Sequence, residues 1–568
     1  MSAPATELDL RLDLGLQHAV LPLTVPGFLK AVTARFGPRV ALRFEGHDLR
    51  YDELAREARA LAGALLSAGV ERGDRVAILV SNRPEWATAF FGAALVGAIV
   101  VPVNTFATPE EREYILRHAD ARLLLMQRHL AGRDFVAELL TRHPELEEDS
   151  DAARRLSALP ELHRIVCISS EPLPAAIEPW GDFLTAEPSE AWATRVDERA
   201  DALTPEDPSL LIYTSGTTDL PKGVLHSQKA AVIQSWRFAE ILDLHEDDIV
   251  LTAQPFFWTA GISMSLGATL AAGAKLLLQE TFDAEAALDC AERERATTVH
   301  AWVHQEKAMA EHPSARGRDF GPLHRVEFDS PLAPLAGLER DVWGIHASYG
   351  MTETFTLVSA LPTWASAKDR TGNSGVALPG MEIRIVHPET GEACPVGERG
   401  EIIVRGVTLM QGYWKVPAQD VFDGEGFFHT SDGGYLDSEG RLHWEGRLSG
   451  IIKTGGANVS PLEVEKAAAD QPAVRAAIAV GVPHPTLGEA IVLCLVPTAG
   501  HRVDEASLRA TLKRRLAAYK VPKHLVVVSE SEAPTTGTQK LRADALRELA
   551  QERLIAGRVE IAGHVYGE

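Results

Sequence analysis

The chain has 568 residues, 45% of them hydrophobic and 24% charged, so it can bury a large core and is expected to divide into more than one domain. Its formal net charge of -23 disfavours nucleic acid as a partner, because a phosphate backbone attracts basic faces. Any anionic substrate must therefore be met by local positive charge.

At the N-terminus, Met1 to Asp9 lacks a basic stretch followed by an apolar one, and no secretion signal is expected. Phe28 to Phe36 and Asp52 to Ala68 read as amphipathic helices around a short hairpin, Val40 to Phe44 and His47 to Tyr51. Arg75 to Val80 is a buried strand, Pro84 to Val96 a helix and Ala98 to Val103 the next strand. That order is a βαβ unit and implies a parallel sheet. The run Trp86 to Val103 is uncharged but broken by glycines and Pro102, which suits a buried helix leading into a strand and no membrane span. A helix from Pro109 to Ala119 and a strand from Arg122 to Met126 extend the pattern. From Val136 to Asp207 the chain is rich in Pro, Glu, Asp and Ala, and reads as surface excursions with one strand-like island at Arg164 to Ile168.

Leu210 to Tyr213 then enters the stretch on which the rest depends, Thr214-Ser215-Gly216-Thr217-Thr218-Asp219-Leu220-Pro221-Lys222-Gly223. Hydroxyls beside a glycine bring O–H and N–H donors to one anion, and Lys222 adds charge. The spacing is not that of a Walker A loop, since Pro221 and Gly223 stand where a glycine and a Ser or Thr belong. The residue order resembles the signature loop of the adenylate-forming superfamily, in particular its acyl- and aryl-CoA ligases, with Asp219 in place of the last glycine of the usual Ser-Gly-Thr-Thr-Gly run.

Beyond the loop, a helix from Gln228 to Leu242 and a strand from Ile249 to Thr252 precede Gln254 to Gly261. The resemblance places Trp258 and Gly261 at the acid pocket, Trp258 standing where His is frequent, although core packing explains a tryptophan equally well. Gly261 to Gly273 is expected to be a buried helix and Lys275 to Gln279 a strand. His300 and His304 are four apart, but with no third ligand they suit a structural pair better than a metal site. A strand from Arg325 to Phe328 ends at Asp329-Ser330-Pro331, where the family carries a Gly/Ala-rich turn beside the adenine.

Tyr349-Gly350-Met351-Thr352-Glu353 resembles the family's Tyr-Gly-x-Thr-Glu element. The competing reading is a capped helix start. Gly397 to Arg405 and Gly412-Tyr413-Trp414 begin a β-rich section. Thr430-Ser431-Asp432 matches the family's Thr-Gly-Asp except at Ser431, and Arg447 begins a run in which Ser449-Gly450 stands at the usual Asp or Lys hinge. The remaining chain alternates helices (Leu462 to Asp470, Glu505 to Leu516, Ala543 to Leu554) with strands (Ala476 to Val482, Ala490 to Val496, His524 to Val528) and carries Lys540 after Gln539.

The resemblance implies a large multi-layer α/β N-terminal domain with parallel βαβ units, 1–448, and a small mobile α+β C-terminal domain, 449–568. It implies an ATP-dependent, AMP-forming acid:CoA ligase using ATP, Mg²⁺ and coenzyme A. Thr214, Ser215, Gly216, Thr217, Thr218 and Lys222 then hold the β- and γ-phosphates. Tyr349, Gly350, Met351 and Thr352 line the nucleotide, with Thr352 donating to the α-phosphate. Glu353 holds the metal, and Asp432 with Arg447 binds the ribose. Lys540 bridges carboxylate and α-phosphate; after rotation Lys453 and the CoA loop Gly455, Gly456, Ala457 and Asn458 take its place. Two alternatives stay open: adenylation with a non-CoA acceptor, a carrier protein or an amine attacking adenylated nitrite, and a catalytically silent nucleotide-binding protein. The four scattered cysteines, Cys167, Cys290, Cys394 and Cys494, suit reduced thiols in a cytoplasmic protein, and a homodimer is entertained.

Overall fold

The computed structural model describes residues 22–567 apart from 148–150, 152–155, 186–189, 215–220, 345–346, 449–451, 455–456, 470, 517–519 and 535–540. The chain forms two compact units, the first comprising residues up to Ile383 with Val404–Phe428, the second Arg384–Ile403 with His429–Glu568. The expected division at 448/449 concerns a hinge, and Ser449 and Gly450 lie outside the described residues.

In the first unit an eight-stranded sheet runs in the order Gly412–Tyr413, Lys222–Ser227, Pro208–Thr214, Ile99–Pro102, Arg75–Leu79, Ala121–Gln127, Arg164–Ile168, Ile177–Pro179. Its centre is parallel, Val76 opposite Val100 and Ala77 opposite Leu124, as the βαβ pattern requires. These strands are continuous apolar runs because both faces are covered. The helix Pro84–Leu95 starts on a proline and buries Trp86, Phe90 and Phe91. Pro109–His118 begins in a capping box: Thr108 Oγ1 accepts from Glu111 N, and a Glu111 carboxylate oxygen accepts from Thr108 N. A second, five-stranded sheet runs Thr298–His300, Ile249–Thr252, Lys275–Leu278, Val40–Phe44, His47–Arg50.

Two expectations need correction. The stretch after Val136 is not a set of surface excursions. It supplies two strands of the main sheet and buries Phe135, Val136, Leu146, Leu156, Leu159, Leu162, Ile165 and Cys167 in one apolar cluster, and it contains the helices Phe135–Arg142, Trp180–Thr185 and Glu190–Asp201. Its acidic residues face outward while single apolar residues, too sparse to announce a period, cover the sheet. The strand Arg325 to Phe328 is reduced to one bridge, Arg325 beside Thr298, because Ser330 N donates to Glu327 O and turns the chain away. Phe328, counted on as part of that strand, is exposed. The apolar stretch after Gly261 begins as a wide π-helical turn, Gly261–Gly267, and continues as the α-helix Ala268–Ala272.

The second unit is built on a long hairpin, Val474–His484 with Gly488–Pro497, placing Ile478 opposite Cys494. Ile452–Thr454 pairs antiparallel with the Gly488 end of the second of these strands, and His524–Val527 pairs with that same strand in parallel. Alternation along Gly488–Pro497 serves two layers. Ile491, Leu493 and Leu495 pack with Val464, Leu508 and Leu512, while Val492 and Cys494 pack with Leu546, Ala550 and Leu554. Among the described residues no helix is long and apolar enough to cross a membrane. All four cysteines are free; Cys167 and Cys494 are buried, and burial pushes each thiol up to about 12.

Candidate active site

The phosphate-seeking stretch connects two neighbouring strands of the main sheet. Pro208–Thr214 pairs antiparallel with Lys222–Ser227, so that Thr214 stands directly opposite Lys222. That register presents the strand-end hydroxyl and the cation on either side of the connection. Ser215, Gly216, Thr217, Thr218 and Asp219 lie outside the described residues. Lys222 is exposed, and its Nζ sits 5.2 Å from the centroid of the Tyr413 ring.

The second motif folds as a tight turn. Ser348–Tyr349 is a short strand paired with Ser359–Ala360, and Thr352–Thr354 forms one 3₁₀ turn. Met351 N donates to Thr354 Oγ1, which donates back to Met351 O. Phe355 and Thr356 then adopt left-handed backbone, φ 50° and 96°, which is exceptional for a β-branched residue. The reason lies opposite: Thr356 O would stand 1.6 Å from a Cβ at position 350, so only glycine permits this closure. Tyr349 is buried, whereas Met351, Thr352 and Glu353 are half-buried.

Two buried side chains brace the turn from the neighbouring hairpin and helix. His226, four residues after Lys222 and fully buried, donates from Nε2 to Thr352 O at 2.8 Å. Burial pushes its imidazole down to about 3, so it is neutral and its proton is on Nε2. Gln234 donates to Leu357 O at 2.7 Å and to Thr354 O at 3.2 Å. Neither was singled out in the sequence. His226 could have been found as the polar residue two positions from Val224 on the face that turns inward.

Glu353 projects toward Tyr413, whose OH donates to Oε1 at 2.8 Å. Among the described residues nothing hydrogen-bonds Oε2. A half-buried carboxylate with one oxygen fixed and the other free is a hard-oxygen donor of the kind Mg²⁺ takes from protein while sharing its other positions with phosphates and water.

Trp258 belongs to an aromatic cluster. Its ring lies 5.0 Å from Phe257, 6.1 Å from Trp302 and 6.5 Å from Phe106, all at steep angles. Phe257 is buried, but Phe106 and Trp302 are 52% and 40% exposed, so the cluster opens on one side. Gly261 is packed on backbone, since a Cβ there would meet Pro255 O at 2.0 Å. Deeper, Thr252, Ser265, Gln254 and His300 share hydrogen bonds, with His300 Nδ1 3.4 Å from Ser265 Oγ. His300 therefore belongs to a buried polar network.

In the second unit, Asp432 and Arg447 face each other across a hairpin. Arg447 Nε lies 3.0 Å from Asp432 Oδ1, its NH1 donates to Thr430 O, and Asp432 N donates to Thr430 Oγ1. Ser431 holds φ 58° and donates from N to Glu401 Oε1, which explains how serine serves where the family uses glycine. Carboxylate oxygens held beside a guanidinium suit two adjacent hydroxyls. Gly455, Gly456 and Lys540 lie outside the described residues, as do the side chains of Lys453, Ala457 and Asn458. Ala457 and Asn458 belong to a short strand paired with Ile452–Thr454.

The sheet edge joins the hairpin that bears Thr214 and Lys222 to the Tyr-Gly-Met-Thr-Glu turn, the two motifs on which the resemblance to adenylate-forming enzymes rests. The chain belongs to the AMP-binding enzyme family: the model of that family matches residues 29–414, and the model of the AMP-binding enzyme C-terminal domain matches 463–540. Indoleacetate–CoA ligase of Aromatoleum aromaticum is 31% identical over 91% of this chain and 96% of its own. Feruloyl-CoA synthase of an Amycolatopsis species is 33% identical over 90% and 96%. Among solved structures, the anthranilate CoA ligase AuaEII in complex with anthranoyl-AMP superposes with a TM-score of 0.78 at 25% identity, covering 94% of this chain and 98% of that one. The chain is an AMP-forming acid–thiol ligase.

Proposed function

We propose that the chain joins a carboxylic acid bearing an aromatic ring to coenzyme A. The acid's oxygen attacks the α-phosphorus of ATP and pyrophosphate leaves; the thiol of CoA then attacks the acyl carbon and AMP leaves. Two anions must meet in the first step, so the protein's contribution is mainly charge neutralisation and positioning. Thr214 to Thr218 and Lys222 take the β- and γ-phosphates, Tyr349 to Thr352 the nucleoside and α-phosphate, and Asp432 with Arg447 the ribose. Glu353 would hold Mg²⁺, which when bound supplies positive charge at the phosphate oxygens. Lys540 bridges the carboxylate and the α-phosphate. Rotation of 449–568 about Ser449-Gly450 then withdraws it and brings Lys453 and the Gly455-to-Asn458 loop to the acyl adenylate. The reaction is placed in the cytoplasm, where ATP and coenzyme A are at hand.

The observation that carries this reading is the strand Gly412–Tyr413, which ties the phosphate hairpin to the Glu353 turn. The aromatic substrate class rests on the open Phe106, Trp258 and Trp302 cluster, and is supported by relatives named for indoleacetate, ferulate and anthranilate. The test is ATP-dependent pyrophosphate release over a panel of aromatic acids, aliphatic acids and nitrite, each with and without CoA. Aromatic acids should give the fastest release and yield their CoA thioesters. Release that ignores CoA and gives no thioester transfers the assignment to another acceptor, and no release with any acid sinks the reading.

A further inference from the structure

The segment Met410–Trp414 touches both halves of the phosphate machinery. Its backbone does so first: Met410 N donates to Glu353 O at 2.7 Å, Gln411 N to Leu225 O at 2.8 Å and Trp414 N to Gly223 O at 2.7 Å. Between these bonds Gly412–Tyr413 pairs antiparallel with Lys222–Ser227, setting Tyr413 opposite Val224. One strand is thus fastened both to the metal carboxylate's own turn and to the lysine's own strand. Its side chain repeats the link. The Tyr413 hydroxyl donates to Glu353 Oε1 at 2.8 Å while the same ring lies 5.2 Å from Lys222 Nζ. Lys222 makes no ion pair among the described residues.

We propose that Tyr413 is a positioning residue that presets the Glu353 carboxylate for the metal-bound form of ATP and gives Lys222 a separate resting partner; this rests on the reading of Glu353 as the metal carboxylate. A free glutamate side chain loses rotamer freedom when it is recruited by an ion. A phenol that already holds one carboxylate oxygen removes part of that loss, and it leaves Oε2 to the ligand. The lysine raises a second difficulty. A cation and a carboxylate serving one polyphosphate would neutralise each other if they met, and both would be lost to the nucleotide. The ring face offers the cation a weak alternative that a phosphate easily displaces. The segment is anchored independently of that hydroxyl, by three backbone bonds and the ring contact of Tyr413 with Phe428 at 6.2 Å. Removing the hydroxyl therefore leaves the strand in place.

The experiment is calorimetric titration of the full-length protein with ATP, in Mg²⁺ and again in a chelator, for the wild type, Tyr413→Phe, Tyr413→Leu, Glu353→Gln and the double variant Tyr413→Phe/Glu353→Gln. Thermal midpoints identify any variant that does not fold. Tyr413→Phe should weaken binding about tenfold in Mg²⁺, the scale of one lost charge-assisted hydrogen bond, and leave metal-free binding unchanged. The double variant should bind no more weakly than Glu353→Gln alone, because the tyrosine acts through that carboxylate. Tyr413→Leu should also weaken metal-free binding, since Lys222, without the ring as its resting partner, is left to pair with Glu353 and is lost to the nucleotide. Equal weakening with and without Mg²⁺ in Tyr413→Phe, additive losses in the double variant, or unchanged Mg²⁺-dependent binding each overturns the proposal. If Tyr413→Phe fails to fold, the proposal stands or falls on whether Tyr413→Leu loses more affinity in Mg²⁺ than in chelator. Unchanged binding in Glu353→Gln is a different failure, that of the metal-carboxylate reading itself.

Discussion

His226 and His300 are buried imidazoles held far below the ordinary histidine value by desolvation, to about 3 and about 4. In the unfolded chain both titrate near 6.5, so as pH falls below that value the unfolded state takes up protons that the native state refuses. Stability is unaffected above pH 7 and falls from about pH 6.5 downward, by up to about 1.4 kcal/mol per pH unit for each histidine. The thermal midpoint should therefore drop between pH 6.5 and 4.5, and His226→Gln, which keeps a donor for Thr352 O, should make that slope shallower. Gly350 sets a steric limit of another kind. A methyl group there collides with Thr356 O, so Gly350→Ala should cost about 1–3 kcal/mol of stability and depress ATP–pyrophosphate exchange with it. An alanine variant with wild-type melting would show that the turn yields at this point.

The turn that carries Glu353 is strained as an element. Phe355 and Thr356 both sit at positive φ, and the Thr356 hydroxyl reaches Ser263 Oγ at 3.0 Å, on the π-helical turn that begins at Gly261. Conformations of this kind cost about 1–3 kcal/mol each and persist where the surroundings over-determine them. Here His226, Gln234 and the Met410 amide supply the determination. Thr356→Gly should relieve the strain and keep or raise the thermal midpoint while lowering kcat, since the turn that aims Glu353 is freed. A lowered midpoint with unchanged kcat would place the strain elsewhere. This behaviour was not legible in the motif Tyr349 to Glu353, because positive φ at two non-glycine residues carries no compositional signal.

At the scale of the molecule, the proposed reaction divides between two lysines that follow the same chain region but act at different times. Lys540→Ala should slow adenylation by roughly 10²–10³, the scale of losing one electrostatic group at a developing charge, while sparing thioester formation from a synthetic acyl adenylate. Lys453→Ala should do the reverse. Measuring the two half-reactions separately checks the pair, and equal loss of both in either variant argues against alternation of 449–568.

The sequence by itself determined the order and type of most elements, since each alternation or period is a local property. The βαβ core from Arg75 to Gln127 and the second unit's hairpin lie within a few residues of their expected bounds. It also carried the candidate site residues wherever a motif is contiguous, as in Thr214 to Lys222 and Tyr349 to Glu353. What only the tertiary structure decided is whatever depends on distant residues meeting. Phe135 to Ile168 became core because the flank of a sheet needed cover, not because its own pattern demanded it. Tyr413, standing in a Gly-Tyr-Trp run with no assigned role, was brought to the carboxylate of Glu353, 60 residues earlier, by strand pairing alone. Trp258 met Trp302 and Phe106 in the same way. Local propensity fixes each backbone segment, whereas a side chain's partner is fixed by the packing of the whole sheet.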